Sequence, residues 1–437
     1  MIPTLYSWGR YPNNPQHSHP NHWQEELKVL LDSMSSEYGT TLPYGNGRSY
    51  GDSCMAASDH VITMRSMDRF VHVDWETGVI IVEAGITLSE VLAATIPNGW
   101  FLSVTPGTQF ATIGGAIAND VHGKNHHSKG TFGNHLLSFG LIRSDEGHLT
   151  CSPTINPQMY TATIGGLGLT GIITFAEIQL VPINSSEIDS HIIRFGNLTE
   201  FFALSSELDY KHEYSVAWID CLASGNKIGR GVYIVGDHAR YGALALSGSA
   251  TLTVPFTPPL SLINNYSLRA FNELYWRAHP TKSVQKRSSY EPFFYPLDRI
   301  KNWNRVYGPR GFQQYQCVIP DASAEMAIKE LLEAISKSGQ GSFLAVLKRC
   351  GDIKSPGLIS FPLPGTSLAL DFPHRSNLIN LFSHLDEIVR RSGGRLYPAK
   401  DAHMSGTDFR HAYPEWERLE SMRDRSLVSR FWKRVTE

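Results

Sequence analysis

Thr112-Ile113-Gly114-Gly115-Ala116-Ile117-Ala118-Asn119-Asp120-Val121-His122-Gly123 is the stretch on which the reading of the fold turns. Its small residues let a ligand approach the backbone closely, and a helix beginning near Thr112 would aim its first amides at a pyrophosphate. Just before it, Thr105-Pro106-Gly107-Thr108 makes a tight loop. Further upstream, Gly45-Asn46-Gly47-Arg48-Ser49-Tyr50-Gly51-Asp52 places three glycines, an arginine and a serine ahead of the next strand. Closely spaced glycines let successive N–H groups turn toward one point as an anion nest, and Ser49 adds a hydroxyl donor. Taken alone, that first loop reads equally well as an ordinary turn; two such loops in one region favour a diphosphate cofactor.

A third cluster, Gly165-Gly166-Leu167-Gly168-Leu169-Thr170-Gly171, contains G-x-G-x-x-G from Gly166 to Gly171. A dinucleotide fingerprint follows a strand and opens a helix. Here residues 159–164 read as helix and 172–178 as strand, so the order is reversed and NAD binding is disfavoured. His122, His126 and His127 suggest a metal cluster, but Gly123 interrupts the helix that would align them, and no further ligand is in view. A polar site or hydrogen-bonded core histidines fit better, and no metal is expected.

Working outward, residues 61–64, the alternating run 79–84, residues 137–143 and the β-branched stretch 172–181 before Pro182 read as strands. Residues 87–96 read as a helix capped by Thr87 and stopped by Pro97-Asn98-Gly99. Pro255–Pro259 and the aromatic-rich stretch 275–315 lack clear periodicity and are assigned to strands and loops. Met326, Ile328, Leu331, Leu332 and Ile335 follow helical spacing after Asp321 as cap, with Gly339 as stop. Leu378, Leu381, Phe382, Leu385, Ile388 and Val389 mark another helix.

At 437 residues the chain exceeds one ordinary core, so two domains are expected, with room for one to interrupt the other. Its 18% charged residues and formal charge of −2 give no electrostatic reason for nucleic acid as a partner. The first residues lack a basic-then-apolar leader and no apolar run is long enough to span a membrane, which makes cytoplasmic the expected location. Five scattered cysteines, Cys54, Cys151, Cys221, Cys317 and Cys350, are expected as free thiols.

The loops, in this order, resemble the vanillyl-alcohol oxidase and p-cresol methylhydroxylase superfamily of flavoproteins. Within it the chain is similar to the flavoprotein subunits of decaprenylphosphoryl-β-D-ribose 2′-epimerase. The resemblance rests on Gly47-Arg48-Ser49-Tyr50-Gly51-Asp52, Pro106-Gly107-Thr108, Gly114-Gly115-Ala116-Ile117-Ala118 and His122-Gly123-Lys124-Asn125-His126-His127. It continues through Gly130-Thr131-Phe132-Gly133-Asn134-His135, Gly168-Leu169-Thr170-Gly171-Ile172-Ile173, Trp303-Asn304-Arg305, Gln314-Tyr315-Gln316, Arg395-Leu396-Tyr397 and Ala399-Lys400-Asp401.

The resemblance implies an α+β, two-domain VAO/PCMH-type flavoprotein. Its FAD-binding domain would be split into 1–184 and 395–437 around an inserted antiparallel-sheet substrate domain, 185–394. The cofactor contacts it implies are Gly45, Asn46, Gly47, Arg48, Ser49, Tyr50, Pro106, Gly107, Thr108, Thr112, Ile113, Gly114, Gly115, Ala118, Asn119, His122, Gly123, Asn125, Gly171, Ile173 and Tyr397. Arg48-Ser49 stands where several relatives carry a flavin-linked histidine, which implies non-covalent FAD. Lys400 falls on the family's proposed catalytic lysine, with His122 and Tyr397 as further catalytic candidates; Lys348, Gln314, Gln316, Trp218 and Phe294 fall on substrate-pocket positions. A pocket tyrosine of the family falls at Phe294, and a pocket cysteine at Ala369.

The expected reaction is oxidation of a sugar secondary alcohol, at C2′ of a polyprenyl-phosphate-linked pentose. A separate NAD(P)H-dependent reductase would complete the epimerisation, and peripheral contact with the inner membrane is compatible with such a substrate. Two alternatives stay open: an aldonolactone or alditol oxidase using oxygen, and a non-catalytic flavin- or lipid-binding protein.

Overall fold

Along Ile172–Pro182 every second side chain from Ile172 to Leu180 is buried, the period of a strand with one face on a core. In the computed structural model, which describes residues 4–248, 252–279 and 283–437, this strand is the middle of a six-stranded sheet. It pairs antiparallel with Val79–Glu83 on one side and Leu136–Arg143 on the other. Phe70–Asp74 and Gly147–Cys151 extend the two edges. The strand continues through Pro182, which pairs with Trp100, rather than stopping before it. Helix Leu88–Thr95 packs against this sheet and begins, as the sequence suggests, in a capping box between Thr87 and Glu90. Glycine cluster 165–171 lies between helix Pro157–Thr163 and this central strand, the helix-then-strand order that argues against a dinucleotide fingerprint.

Nearer the N-terminus, Gln16–Pro20, His60–Thr63 and Pro43–Tyr44 pair in parallel, with Thr4–Leu5 antiparallel at the edge. Tyr44 ends its strand and hands the chain to the first glycine loop.

The second large layer is an eight-stranded antiparallel sheet in the order Val284–Ser289, Glu187–Phe195, Gly231–His238, Tyr214–Ile219, Ala345–Cys350, Gly365–Pro373, Phe312–Pro320 and Arg395–Leu396. Period-two alternation gives it two different faces. Tyr315, Cys317, Ile319, Leu368, Leu370 and Phe372 pack into one core with helices Ala324–Ser338 and Leu378–Arg391. The intervening residues Gln314, Gln316, Ser367, Ala369, Val346, Lys348 and Trp218 point the other way, into a cavity. Register places Trp218, Val346, Ala369 and Gln316 in one row across four strands.

Beyond Arg395–Leu396 the chain returns to the N-terminal sheet. Thr41 N donates to Ser426 O and Val428 N to Thr41 O; Arg430 makes a bidentate pair with Asp59. Arg434 Nη2 bridges Asp52 at 2.8 Å and Asp401 at 2.9 Å. This clamp fixes the 397–401 turn against the first glycine loop, where Tyr50 N donates to Ala399 O at 3.1 Å. All five cysteines are free.

Three expectations are corrected. The aromatic middle contains helices Asn265–Ala278 and Tyr290–Phe294. Its periodicity is hidden because Tyr266 and Leu274 face solvent while Asn272 is buried. Helix Ala324–Ser338 starts from Ser323, and Asp321 instead pairs with Arg349 at 3.0 Å. Met326 on that helix is 76% exposed, so the buried stripe runs through Ala327 and Ile328 instead.

Replacing Arg434 by alanine leaves Asp52 and Asp401, both buried, without their shared cation, and a broken buried pair costs roughly 3–5 kcal/mol. Urea unfolding of Arg434→Ala against the parent is expected to show a loss of about that size; a loss below about 1 kcal/mol, the scale of an exposed pair, would contradict the clamp.

Candidate active site

Between the two large sheets lies a cavity of about 1120 Å³, above the roughly 300–1,000 Å³ of an ordinary small-molecule site. The first glycine loop forms one end. Gly47 has φ +58°, and a Cβ there would fall 2.0 Å from the Tyr44 hydroxyl, so only glycine makes this turn without strain. Asn46 Nδ2 anchors the loop to Phe110 O at 2.8 Å. The amides of Asn46, Gly47, Arg48 and Ser49 have no acceptor among the described residues, and all four residues line the cavity. Arg48 lies with its guanidinium 4.3 Å from the Trp8 ring centre, its Nε buried and unpartnered. A run of unsatisfied donors beside a buried cation suits a diphosphate.

Helix Ile113–Ala118 does not supply the donors expected of it. Ile113 N donates to Ile86 O, Gly114 N to Ala84 O and Gly115 N to Thr112 Oγ, so its first amides are already taken. The loop before it contributes Pro106, Gly107 and Thr108 to the wall. It is held by Asp298, which accepts from Thr108 Oγ at 2.9 Å and Gln109 N at 2.8 Å.

Of the residues singled out by sequence, Ile113 and Asn125 lie behind the cavity wall. Ile113 is in the core, and Asn125 Nδ2 donates to Ser103 O and Glu213 Oε1. The remaining candidates line the cavity, among them Tyr50, Thr112, Gly114, Gly115, Ala118, Asn119, Gly123, Gly171, Ile173 and Phe294. Tyr295, beside Phe294, is buried and bonds Thr105 Oγ at 2.6 Å.

Three lysines also line the cavity. Lys348 Nζ donates to Gly123 O at 2.9 Å and Lys124 Nζ to Phe294 O at 3.0 Å. Lys400 Nζ sits 3.9 Å from the Tyr50 ring centre and makes no hydrogen bond among the described residues. None of the three has a carboxylate within salt-bridge distance among the described residues. Burial lowers Lys124 to about 7 and Lys348 and Lys400 to about 8. Asp371, on the cavity-facing side of its strand, is pushed up to about 7 by burial, and Gln314 Nε2 donates to it at 2.6 Å.

His122 is buried, and burial together with the charges of Lys348, His126 and Lys400 drives its pKa well below 6.5; it is a neutral imidazole at pH 7. Its Nε2 is 3.3 Å from Gln316 Nε2, and its Nδ1 is buried without a partner. His126 and His127 face elsewhere, toward Gly351 N and His212 O. The Tyr397 hydroxyl donates to Asn119 O at 2.9 Å and its ring stacks on Phe361 at 4.5 Å. That hydroxyl is committed to Asn119 and its pKa is raised by burial, and Tyr397 lines the cavity. Trp218 Nε1 donates to Phe343 O and its ring meets Tyr275 at 4.6 Å.

Sequence reasoning missed Lys124 as a cavity group, and also Asp298 and Asp371. Asp371 could have been found, since it is two residues from Ala369 and therefore on the same strand face. The partners of Asp298 lie about 190 residues away, which no local pattern reveals.

Residues 22–152 match the family described as FAD binding domain. The chain is 36% identical over 411 residues to decaprenylphosphoryl-beta-D-ribose oxidase of Mycolicibacterium smegmatis, covering 90% of this chain and 88% of that one. Shorter similarities reach D-arabinono-1,4-lactone oxidase of Yarrowia lipolytica, 24% identical over 40% of this chain and 34% of that one. L-gulonolactone oxidase of Mus musculus is 31% identical over 36% of this chain and 35% of that one. An amide nest facing a lysine-lined cavity, together with a likeness that runs through both sheets, places the chain in the decaprenylphosphoryl-β-D-ribose oxidase family of FAD-dependent oxidoreductases.

Proposed function

We propose that the protein oxidises C2′ of a polyprenyl-phosphate-linked pentose to a ketone, with non-covalent FAD as electron acceptor, and that a separate NAD(P)H-dependent reductase completes an epimerisation. The observation that carries this reading is Lys400, a half-buried amine facing the cavity with no acceptor among the described residues. We assign residues 1–184 and 395–437 to holding the cofactor and 185–394 to the sugar, with the enzyme acting peripherally at the inner membrane.

The amides of residues 46–49 and Arg48 hold the diphosphate of FAD in this reading. Bound there, FAD supplies a two-electron acceptor for the hydride of the carbinol carbon. Lys400, as the neutral amine, takes the hydroxyl proton, a role for which a pKa near the working pH is suited. Neutral His122, with Gln316, orients the hydroxyl. Lys348, Lys124 and Gln314 grip the remaining sugar oxygens and the phosphate, and Trp218 and Phe294 shape the apolar walls. The lactone-oxidase similarities extend over only 40% and 36% of this chain, which favours the ribose-type substrate. Anaerobic mixing with polyprenyl-phosphoryl-ribose is expected to bleach the flavin, whereas bleaching by aldonolactones alone, with peroxide released in air, would move the assignment to the lactone oxidases.

Acid or heat denaturation is expected to release intact FAD into the supernatant, because Arg48-Ser49 offers no ring nitrogen for a covalent link; yellow colour remaining with the precipitate would contradict it.

Lys400→Ala is expected to keep FAD while slowing flavin reduction at saturating substrate by roughly 10²–10⁴-fold. Because the amine acts as a base and its pKa is about 8, the parent rate should rise with pH and level off above that value. The variant should lose this limb. A normal saturated rate, or an unchanged pH limb in the variant, would remove Lys400 from the chemistry.

A further inference from the structure

The helix Asn265–Ala278 exposes apolar side chains that its fold leaves uncovered. Toward the protein it buries Leu268 and presents polar groups: Asn272 Nδ2 donates to Asp220 Oδ1 at 2.7 Å, and Glu273 pairs with Arg230 at 2.6 Å. Toward solvent it presents Tyr266, 87% exposed, and Leu274, 70% exposed, with Ala270 between them in one i, i+4 row. The preceding loop exposes Phe256, Leu260 and Leu262 as well, by 69%, 79% and 58%. Apolar side chains gathered this densely in water mark a contact surface.

Two observations say what the surface meets. From Arg240 to Arg287 the chain carries six Lys and Arg residues against one acidic residue, Glu273, although the whole chain has a formal charge of −2. Exposed Arg269 flanks the apolar row itself, as does Arg277, which also pairs with Glu273 at 2.6 Å. A second copy of this chain would bring two such positive segments together in an isologous contact, whereas an anionic lipid surface attracts them. In addition, Phe271 and Tyr275 of the same helix line the cavity, so whatever the outer face touches lies at the cavity mouth. No helix among the described residues is long and apolar enough to cross a membrane.

We propose that the outward face of Asn265–Ala278, with Phe256, Leu260 and Leu262, is a docking surface for an anionic lipid bilayer. Its apolar row sits among the acyl chains and its arginines among the headgroups, as in interfacial helices. The inference rests on the lipid-linked substrate proposed above: a polyprenyl chain stays in the bilayer while its sugar passes under this helix into the cavity.

The test is flotation of the full-length, FAD-loaded protein with vesicles of phosphatidylcholine containing phosphatidylglycerol. Binding is expected there and should fall by roughly tenfold or more on phosphatidylcholine alone or in high salt. Leu260→Glu with Leu274→Glu, and separately Arg269→Glu with Arg277→Glu, should each reduce it by a similar factor while retaining flavin absorbance. Absence of flotation, or variants that float like the parent, would overturn the docking surface. So would a dimer in sedimentation that the leucine variants dissolve, because the face would then be a protein interface. Flotation needs no substrate, and flavin bleaching by detergent-solubilised polyprenyl-phosphoryl-ribose needs no bilayer. Failure of docking is thereby distinguished from failure of the proposed reaction.

Discussion

A half-buried positive charge with no ion-pair partner must either lose its proton or find an anion, and several such charges line the cavity among the described residues. Lys124, Lys348 and Lys400 are all depressed by burial. Arg48, which cannot discharge near neutral pH, lies at the end of the cavity where four amides lack acceptors. The nearby carboxyls compensate little, since burial also pushes Asp371 to about 7 and Asp298 to about 6. The cavity is therefore suited to anionic occupants, with a diphosphate on the glycine loop and a phosphate-bearing or hydroxyl-rich group near the lysines in the function proposed above.

The rest of the architecture serves to hold those groups in place. One sheet register sets Trp218, Ala369 and Gln316 in a row, with Lys348 and Ser367 one step along it. The helices behind that sheet take up its other face, leaving the polar face free to line the cavity. Lys400 comes from a different part of the chain, and its position depends on Arg434, Asp52 and Asp401 joining the C-terminal return to the first loop. Gly51 records how close that junction is, since a Cβ there would lie 1.6 Å from Asp401 O.

Features encoded over short distances were legible in the sequence. The Thr87 cap, the strand running from Ile172 and the helix Leu378–Arg391 each follow from local spacing and caps. From sequence, the glycine loops suggested diphosphate donors both in the first loop and at the start of the helix near Thr112, and the first amides of that helix are already paired. Backbone pairing of Ile113 and Gly114 with Ile86 and Ala84 is a tertiary fact that glycine spacing cannot show. The aromatic middle misled because its helix buries asparagine and exposes leucine, the reverse of the pattern from which helices are read. The roles of Lys400 and Lys348 came from family resemblance, since nothing in their neighbours' identity separates a buried lysine from a surface one.

If the donors of residues 46–49 and Arg48 hold a diphosphate, comparative titration of the apoprotein will show it. FAD, FMN and riboflavin share the isoalloxazine ring and differ in phosphate, so calorimetric affinities separate ring contacts from nest contacts. FAD is expected to bind far more tightly than riboflavin, with FMN between them, and Arg48→Ala to narrow the difference. Equal affinity for FAD and riboflavin would contradict it.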